Sequence, residues 1–198
     1  METLPPIAVV LAGGASRRMG RDKSSVEIAG TASLDRVVAA ARQALSEVVV
    51  VGGGAPGALA DLEPGGGPVQ AILSAWRAHP GRALVVLGCD MPFVGAELVA
   101  RLATVRSTGD ATLVRAGGRA QPLCARYEPE AAAAFERAFA AQRRGLMRVV
   151  ADLEVGWIDE AELPAAERLG ARDFDTPEEL ARLLDDAQRG AGQSSDPT

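Results

Sequence analysis

Lys23 is the only lysine among 198 residues; the other basic residues of the 21 are all arginine. It closes the stretch Val10–Ser24 (VLAGGASRRMGRDKS), which also carries Gly13, Gly14 and Gly20 together with Arg17, Arg18, Arg21 and Asp22. Glycines let a backbone approach phosphates closely and turn N–H groups towards them. A compact ammonium on a flexible stem suits a phosphate oxygen deep in a pocket. The spacing is not that of a Walker A loop, because Arg21 and Asp22 separate Gly20 from Lys23, nor of a dinucleotide fingerprint, because Gly13 and Gly14 are adjacent. The bland alternative is a solvated charge on a surface loop. A second chemical group follows further on. Asp90 stands just past the apolar run Arg82–Gly88 (RALVVLG), with Pro92 stopping the strand. A carboxylate beyond a buried parallel strand lies in the crevice where open α/β sheets bind ligands. Its structural alternative is an N-cap for the next helix.

The elements that must position these groups follow from periodicity. Ile7–Leu11 reads as a strand that delivers the chain into the glycine loop. A helix starts near Ser33, a candidate N-cap, with Leu34, Val37, Val38, Ala41 and Leu45 on one face. Glu47–Val51 is a β-branched run, as expected of a parallel strand covered on both faces. The long loop GGGAPGALADLEPGGGP then leaves the carboxyl end of that strand beside the first loop, which favours a functional role. Helices are expected over 69–78 (Ile72, Leu73 and Trp76 packing), 95–106, 128–141 (Phe135 and Phe139 as an i,i+4 pair) and 145–151. Strands at 111–115 and 122–127 flank a hairpin signal at 116–119, and 153–158 is strand-like. Thr176 caps a last helix, with Pro177 in its first position and Glu179 completing a capping box. The pattern predicts an α/β fold: a single-domain, Rossmann-like three-layer sandwich with a mostly parallel central sheet and a hairpin in the C-terminal half. The domain is expected to span residues 1–188, with 189–198 a disordered polar tail.

Composition narrows the partners. Net charge is −5, so the basic loop is a local feature of an acidic chain. That suits a small anionic ligand and argues against nucleic acid. Cys89 and Cys124 sit in apolar contexts without metal-ligand spacing and are expected as buried, unbridged thiols. His79, at a helix end before Pro80, reads as a cap or solvated group and is assigned no role. No apolar run is long enough to span a membrane, and Met1–Pro6 lacks a basic, apolar leader, so a cytoplasmic protein is expected.

The residues also carry a resemblance. LAGGASRRMGRDK resembles the LAGGxSxRMGxDK signature of molybdenum cofactor guanylyltransferases, within the compact nucleotidyltransferase superfamily, and fills its ten fixed positions. Cys89-Asp90-Met91-Pro92-Phe93 resembles that family's metal-binding motif. Asp61 and Gly67-Pro68 match a region that carries an aspartate near the nucleotide. Gln121-Pro122 resembles the segment after which the second substrate is placed, and Gly145–Ala151 matches a further family segment. Phe174–Leu180 resembles the Asn-Thr-Pro-Glu-Asp/Glu-Leu entry to the last helix, with Asp175 where the family usually has asparagine. Val51 likewise stands where asparagine is frequent. The resemblance implies a nucleotidyltransferase moving GMP from GTP to molybdopterin, with or without its molybdenum, and releasing pyrophosphate. It implies Lys23, Arg17, Arg18 and Asp90 as catalytic residues. Leu11, Ala12, Gly13, Gly14, Lys23, Asp61 and Asp90 would bind nucleotide, Asp61 at the base or ribose. Asp90 would hold Mg2+, and molybdoenzyme-maturation proteins would be partners. The rivals are a cytidylyltransferase, a transferase for another phosphorylated metabolite, and a non-catalytic nucleotide-binding regulator. Gly13 and the Met-Pro-Phe ending favour the guanylyl branch over the first of these.

Overall fold

The apolar run after Pro6 forms β1 (Ile7–Leu11), every residue of which is buried. A short 3-10 turn at Lys23–Ser25 leads into a small hairpin, β2 (Glu27–Ile28) and β3 (Thr31–Ala32), then α1 (Ser33–Ala44) and β4 (Val48–Val51). There follow α2 (Pro68–Ala78), β5 (Leu84–Gly88), α3 (Ala96–Thr104), β6 (Ala111–Ala116) and β7 (Arg119–Tyr127). The chain ends in α4 (Ala132–Ala140), α5 (Leu146–Val150), β8 (Val155–Asp159), α6 (Ala165–Gly170) and α7 (Pro177–Gln193). This computed structural model describes residues 4–13, 23–54, 57–63, 66–105 and 108–193. Gly14, Arg17, Arg18, Gly20, Arg21 and Asp22 of the first loop, and residues 194–198, lie outside the described residues.

Among the described residues, six strands form one sheet in the order β4-β1-β5-β7-β6-β8. β1 runs parallel to β4 and β5, β6 runs parallel to β8, and β7 alone is antiparallel to its neighbours. Strand alternation sorts the core into two sides. Ile7, Val9, Leu11, Leu84 and Val86 pack with α2, α4 and α5; Ala8, Val10, Val85 and Leu87 pack with α1 and α3. The three-layer sandwich, mostly parallel sheet and C-terminal hairpin expected from periodicity are all present. A third cluster, Val26, Ile28, Phe174, Leu180 and Leu183, ties the β2–β3 hairpin to α7.

β4 is an edge strand whose first three residues are half-buried, yet Val49 and Val51 pack on the α2 side and Val48 and Val50 on the α1 side, so it is covered on both faces as expected. Its β-branched composition signals a strand but not its place in the sheet. Several local expectations are corrected. Ser33 is not an N-cap: it is the first residue of α1, fully buried, and its hydroxyl donates to Cys89 O at 2.5 Å. It thereby ties α1 to the segment that carries Asp90. Phe135 packs edge-on against Trp76 and Tyr127, while Phe139 lies under the Arg77 guanidinium. The last helix runs to Gln193, past the boundary expected at residue 188. α3 is shorter than expected and begins at Ala96, with Gly95 rather than Asp90 at its N-cap. His79 is the C-cap of α2, and its ring pairs with Glu47. Cys89 and Cys124 are buried outside any disulfide, and burial pushes the Cys124 thiol up to about 12.

Backbone bonds then bring three strand ends together: Ala12 N–H donates to Val51 O and Cys89 N–H to Leu11 O. Two glycines make the approach possible. A Cβ on Gly53 (φ +70°) would stand 2.8 Å from Ala12 Cβ and 2.9 Å from Ala12 O, so the turn after β4 lies directly on the end of β1. At the end of β5, a Cβ on Gly88 would run into Asp90 Oδ1. Asp90 therefore folds its carboxylate back over the strand that carries it. Gly53→Ala, strained in φ and pressed on backbone, should lose roughly 1–3 kcal/mol in a denaturant titration. Gly88→Ala should lower the denaturation midpoint by less than Gly53→Ala, because its Cβ meets the Asp90 carboxylate and, at 3.3 Å, Leu123 Cβ rather than backbone. Displacing Asp90 should still lower turnover by roughly 100-fold.

Candidate active site

The C-terminal ends of β4, β1 and β5 form one edge, and the residues singled out for chemistry gather there. Lys23 Nζ lies 2.9 Å from Asp90 Oδ2 and 2.5 Å from Asp175 Oδ1. The Lys23 and Asp90 side chains are 14% and 16% exposed, and Asp175 is more open at 41%. Asp175 reaches this point because Phe174 is an anchor. Phe174 is fully buried, and its N–H donates to Asp90 O at 3.2 Å. Asp173 and Asp175 flank this buried side chain, are themselves only half-buried, and bring their carboxylates to Asp90 together. Thr176 caps α7 through its hydroxyl to Glu179 N–H. Glu179 reaches the N–H of Asp175 at 2.6 Å, one residue earlier than the expected capping box. The helix cap thus also holds the site segment.

Asp90, Asp173 and Asp175 each offer a carboxylate oxygen within 4.8 Å of the other two. Asp173 is braced by Gln121 Nε2 at 3.2 Å and Arg119 Nη2 at 3.3 Å. Burial pushes the Asp90 carboxyl above the usual carboxylate range; Lys23 opposes this and Asp173 adds to it. For Lys23, burial acts to lower the ammonium, but Asp90 and Asp175 outweigh it and hold it above the ordinary lysine value. Three carboxylates thus share one largely buried ammonium, on Asp90 and Asp175, and one exposed guanidinium, on Asp173, and remain one positive charge short. Hard oxygen donors at this separation fit a divalent cation such as magnesium, and the ammonium occupies the place of a stand-in cation. Asp90 is the metal-holding residue expected from sequence. Asp173 and Asp175 were not among the expected site residues, although the Asp-Phe-Asp alternation before the helix cap was a signal for them.

The remaining expected residues lie on the β1–β4 side. Leu11 and Ala12 are buried, and their backbone O and N–H respectively are used within the sheet, so among the described residues of the expected cradle Gly13 is the exposed one. A Cβ on Gly52 would stand 3.2 Å from Asp61 Oδ2 and 3.6 Å from Gly13 N. The Asp61 carboxylate and the Gly13 amide therefore flank one glycine. Burial pushes the Asp61 carboxyl up, and it has no hydrogen-bond or ion-pair partner among the described residues. Its loop is held in place. Leu59 bonds to β4, and Gln70 of α2 binds both Glu63 N–H (3.1 Å) and the Glu63 carboxylate (3.0 Å). Gly14, Arg17 and Arg18, also expected here, lie outside the described residues.

Comparison with known proteins identifies the family. The sequence model of the MobA-like NTP transferase domain matches residues 8–157. The chain is 32% identical over 189 residues to a probable molybdenum cofactor guanylyltransferase of Pelotomaculum thermopropionicum, covering 90% of this chain and 92% of that protein. It is 32% identical to the molybdenum cofactor guanylyltransferase of Xanthomonas euvesicatoria pv. vesicatoria, over 91% and 95% of the two chains. Among solved structures, molybdopterin-guanine dinucleotide biosynthesis protein A from Archaeoglobus fulgidus is similar with a TM-score of 0.75 and 25% identity, over 92% of this chain and 99% of that one. With its strand order, its glycine-rich first loop and a lysine seated on the aspartate after β5, the chain belongs to the molybdenum cofactor guanylyltransferase family of MobA-like nucleotidyltransferases.

Proposed function

We propose that the chain transfers GMP from GTP to the phosphate of molybdopterin, forming a guanine dinucleotide cofactor and releasing pyrophosphate. The observation that carries this reading is the Lys23–Asp90 contact at 2.9 Å on the edge where β4, β1 and β5 end. An oxygen of the acceptor phosphate forms a bond to the α-phosphorus of GTP. The bond from that phosphorus to the bridging oxygen breaks, and pyrophosphate leaves with the electron pair. A phosphate monoester is anionic at neutral pH, so no general base is required. This accords with a chain whose one histidine pairs with Glu47 at a helix end.

Catalysis is then positioning and charge neutralisation. Lys23 neutralises charge on the α-phosphoryl group and the departing pyrophosphate, with Arg17 or Arg18 assisting. Asp90, together with Asp173 and Asp175, would hold magnesium, whose chemistry is to offset the triphosphate charge. Asp61 supplies the preference for guanine. Its carboxylate can accept from both N1–H and the 2-amino group of that base, whereas cytosine offers one donor beside an acceptor. Gly13 N–H, next to it, is placed for the nucleotide backbone. The reaction is that of a cytoplasmic biosynthetic enzyme, and among the described residues no helix is long and apolar enough to cross a membrane.

A ligand that binds the folded state raises its melting temperature by mass action. Thermal denaturation with GTP, CTP, ATP and UTP, with and without Mg2+, should show the largest shift for GTP with the metal. A shift with CTP and none with GTP would overturn the guanylyl assignment. Asp61→Ala should shrink the GTP shift towards that of the other nucleotides while leaving the ligand-free melting temperature within a few degrees. Lys23→Ala and Asp90→Ala should each abolish pyrophosphate release with molybdopterin in chains that still fold by circular dichroism; turnover at the wild-type rate in either removes its role.

A further inference from the structure

The Asp61 carboxylate is held in a costly place. It stands against Gly52, beside the Gly13 amide, and among the described residues no partner offsets the water it loses there. A carboxylate so placed relaxes towards solvent unless its backbone is fixed. Two pins fix it, each two residues away. On one side Leu59 is tied to the sheet: its N–H donates to Val50 O at 2.8 Å, and its carbonyl accepts from Gly52 N–H at 3.0 Å. On the other side Glu63 is tied to α2. Gln70 Oε1 accepts from Glu63 N–H at 3.1 Å, and Gln70 Nε2 donates to Glu63 Oε2 at 3.0 Å. Gln70 is 5% exposed, a polar side chain on a helix whose residues 69–76 are all buried. An apolar side chain would fill that space without the cost of drying an amide, so the amide is offset only by the bonds it makes. It is also the group that suits both, because one end must accept from an N–H and the other must donate to a carboxylate. Gly66 leaves the room for it, since any Cβ there would run into the Gln70 amide.

We propose that Gln70 is a positioning residue for base recognition: by clasping Glu63 it keeps the Asp61 carboxylate against Gly52 and Gly13 before the nucleotide arrives, and so sets how much the base adds to the affinity for the triphosphate. The inference rests on the reading of Asp61 as the guanine contact and adds the residue on which that contact depends. The device is pre-organisation. A binding loop that holds its competent form only part of the time weakens the apparent affinity by that fraction. With Leu59 as its one remaining pin, the chain beyond Asp61 is released, and the carboxylate regains water at the expense of the base. The consequence is confined to the base end of the ligand. Lys23, Asp90 and Asp175 bond to one another, and among the described residues neither Gln70 nor Glu63 bonds to any of them. The fold itself has other supports in the same place: Val69, Ile72, Leu73 and Trp76 seat α2 in the core, and Leu62 packs beside them.

The test compares two ligands of the full chain by isothermal titration calorimetry with Mg2+: GTP, and tripolyphosphate, which has the phosphates and no base. Gln70→Met keeps the length of the side chain and removes both bonds. It should raise the Kd for GTP roughly tenfold and leave that for tripolyphosphate at its wild-type value. Glu63→Ala, at an exposed residue, removes the carboxylate bond alone and should weaken GTP roughly threefold. The double variant should bind GTP no more weakly than Gln70→Met, because the two residues act as one unit. A Gln70→Met chain that melts earlier with both affinities unchanged has lost a packing contact only, and that result overturns the proposal. An equal loss for GTP and tripolyphosphate overturns it too. Should Gln70→Met not fold, Glu63→Ala decides, and wild-type GTP affinity in that variant overturns the clasp. Asp61→Ala separates the premise from the inference. Wild-type GTP affinity in Asp61→Ala removes the guanine reading and the clasp with it, whereas a loss in Asp61→Ala without one in Gln70→Met removes the clasp alone.

Discussion

Three carboxylates converge to within 4.8 Å of one another, two of them on one ammonium and the third on an arginine. Nothing in the chemistry of Asp90, Asp173 and Asp175 favours their meeting, since like charges in a partly dry place repel and resist ionisation. Their approach has to be enforced by elements that are stable for other reasons. β5 lies in the middle of the sheet with every residue buried, and Gly88 leaves the room into which Asp90 folds. Phe174, sunk among Val26, Ile28, Leu180 and Leu183, draws Asp173 and Asp175 in from a segment far along the chain. A backbone bond from Phe174 to Asp90 fixes the meeting of the two segments. The apolar core therefore does more than stabilise the chain: it holds an electrostatically unfavourable cluster ready for a cation and a triphosphate.

The sheet edge divides the labour around that cluster. On one side, the turn after β4 lies on the end of β1 and the Asp61 carboxylate stands beside the Gly13 amide, a pairing of acceptor and donor suited to a nucleoside. On the other, β7 runs against the direction of its neighbours and bulges over Pro122–Cys124, where its register with β6 shifts. That irregularity leans Leu123 over Gly88 and carries Gln121 to Asp173. Parallel strands end in loops at one edge. The reversed strand begins there instead, and so contributes side chains of a strand rather than of a loop to the same place.

Much of this was legible in the sequence, for identifiable reasons. Strands of the buried kind and helices with one apolar face announce themselves by period, so β1, β5, α1 and α2 fall where the pattern puts them. Lys23 and Asp90 were legible because each follows a strand of one parallel sheet, and parallel strands share an edge for their ends. What period cannot carry is the neighbour a strand will have. β4 has the composition of a central strand and stands at the edge. Ser33 has the type of a cap, yet its hydroxyl answers a carbonyl from the Asp90 segment that no local rule could supply. The short α6 carries too few turns to show a period at all. Asp173 and Asp175 were hidden for a different reason: the capping signal at Thr176 and Glu179 accounts for the segment so fully that the carboxylates before it read as flanking residues.

The solitary lysine, first noticed as an oddity of composition, has its explanation in this arrangement. Its nitrogen is shared between one oxygen of Asp90 and one of Asp175, two carboxylates from different segments, in a space only 14% open to solvent and 5.7 Å from the Phe174 ring. An ammonium directs three donors from a single point and can serve two acceptors at once. A guanidinium is a flat fork that prefers both oxygens of one carboxylate, as Arg77 shows with Glu136 and Arg101 with Glu167 elsewhere in this same molecule. Arginine at position 23 would have to choose between its partners or force them apart, and its longer, planar head would press on Phe174. A chain that answers almost every demand for positive charge with arginine keeps lysine at the one described place where the charge must be a point.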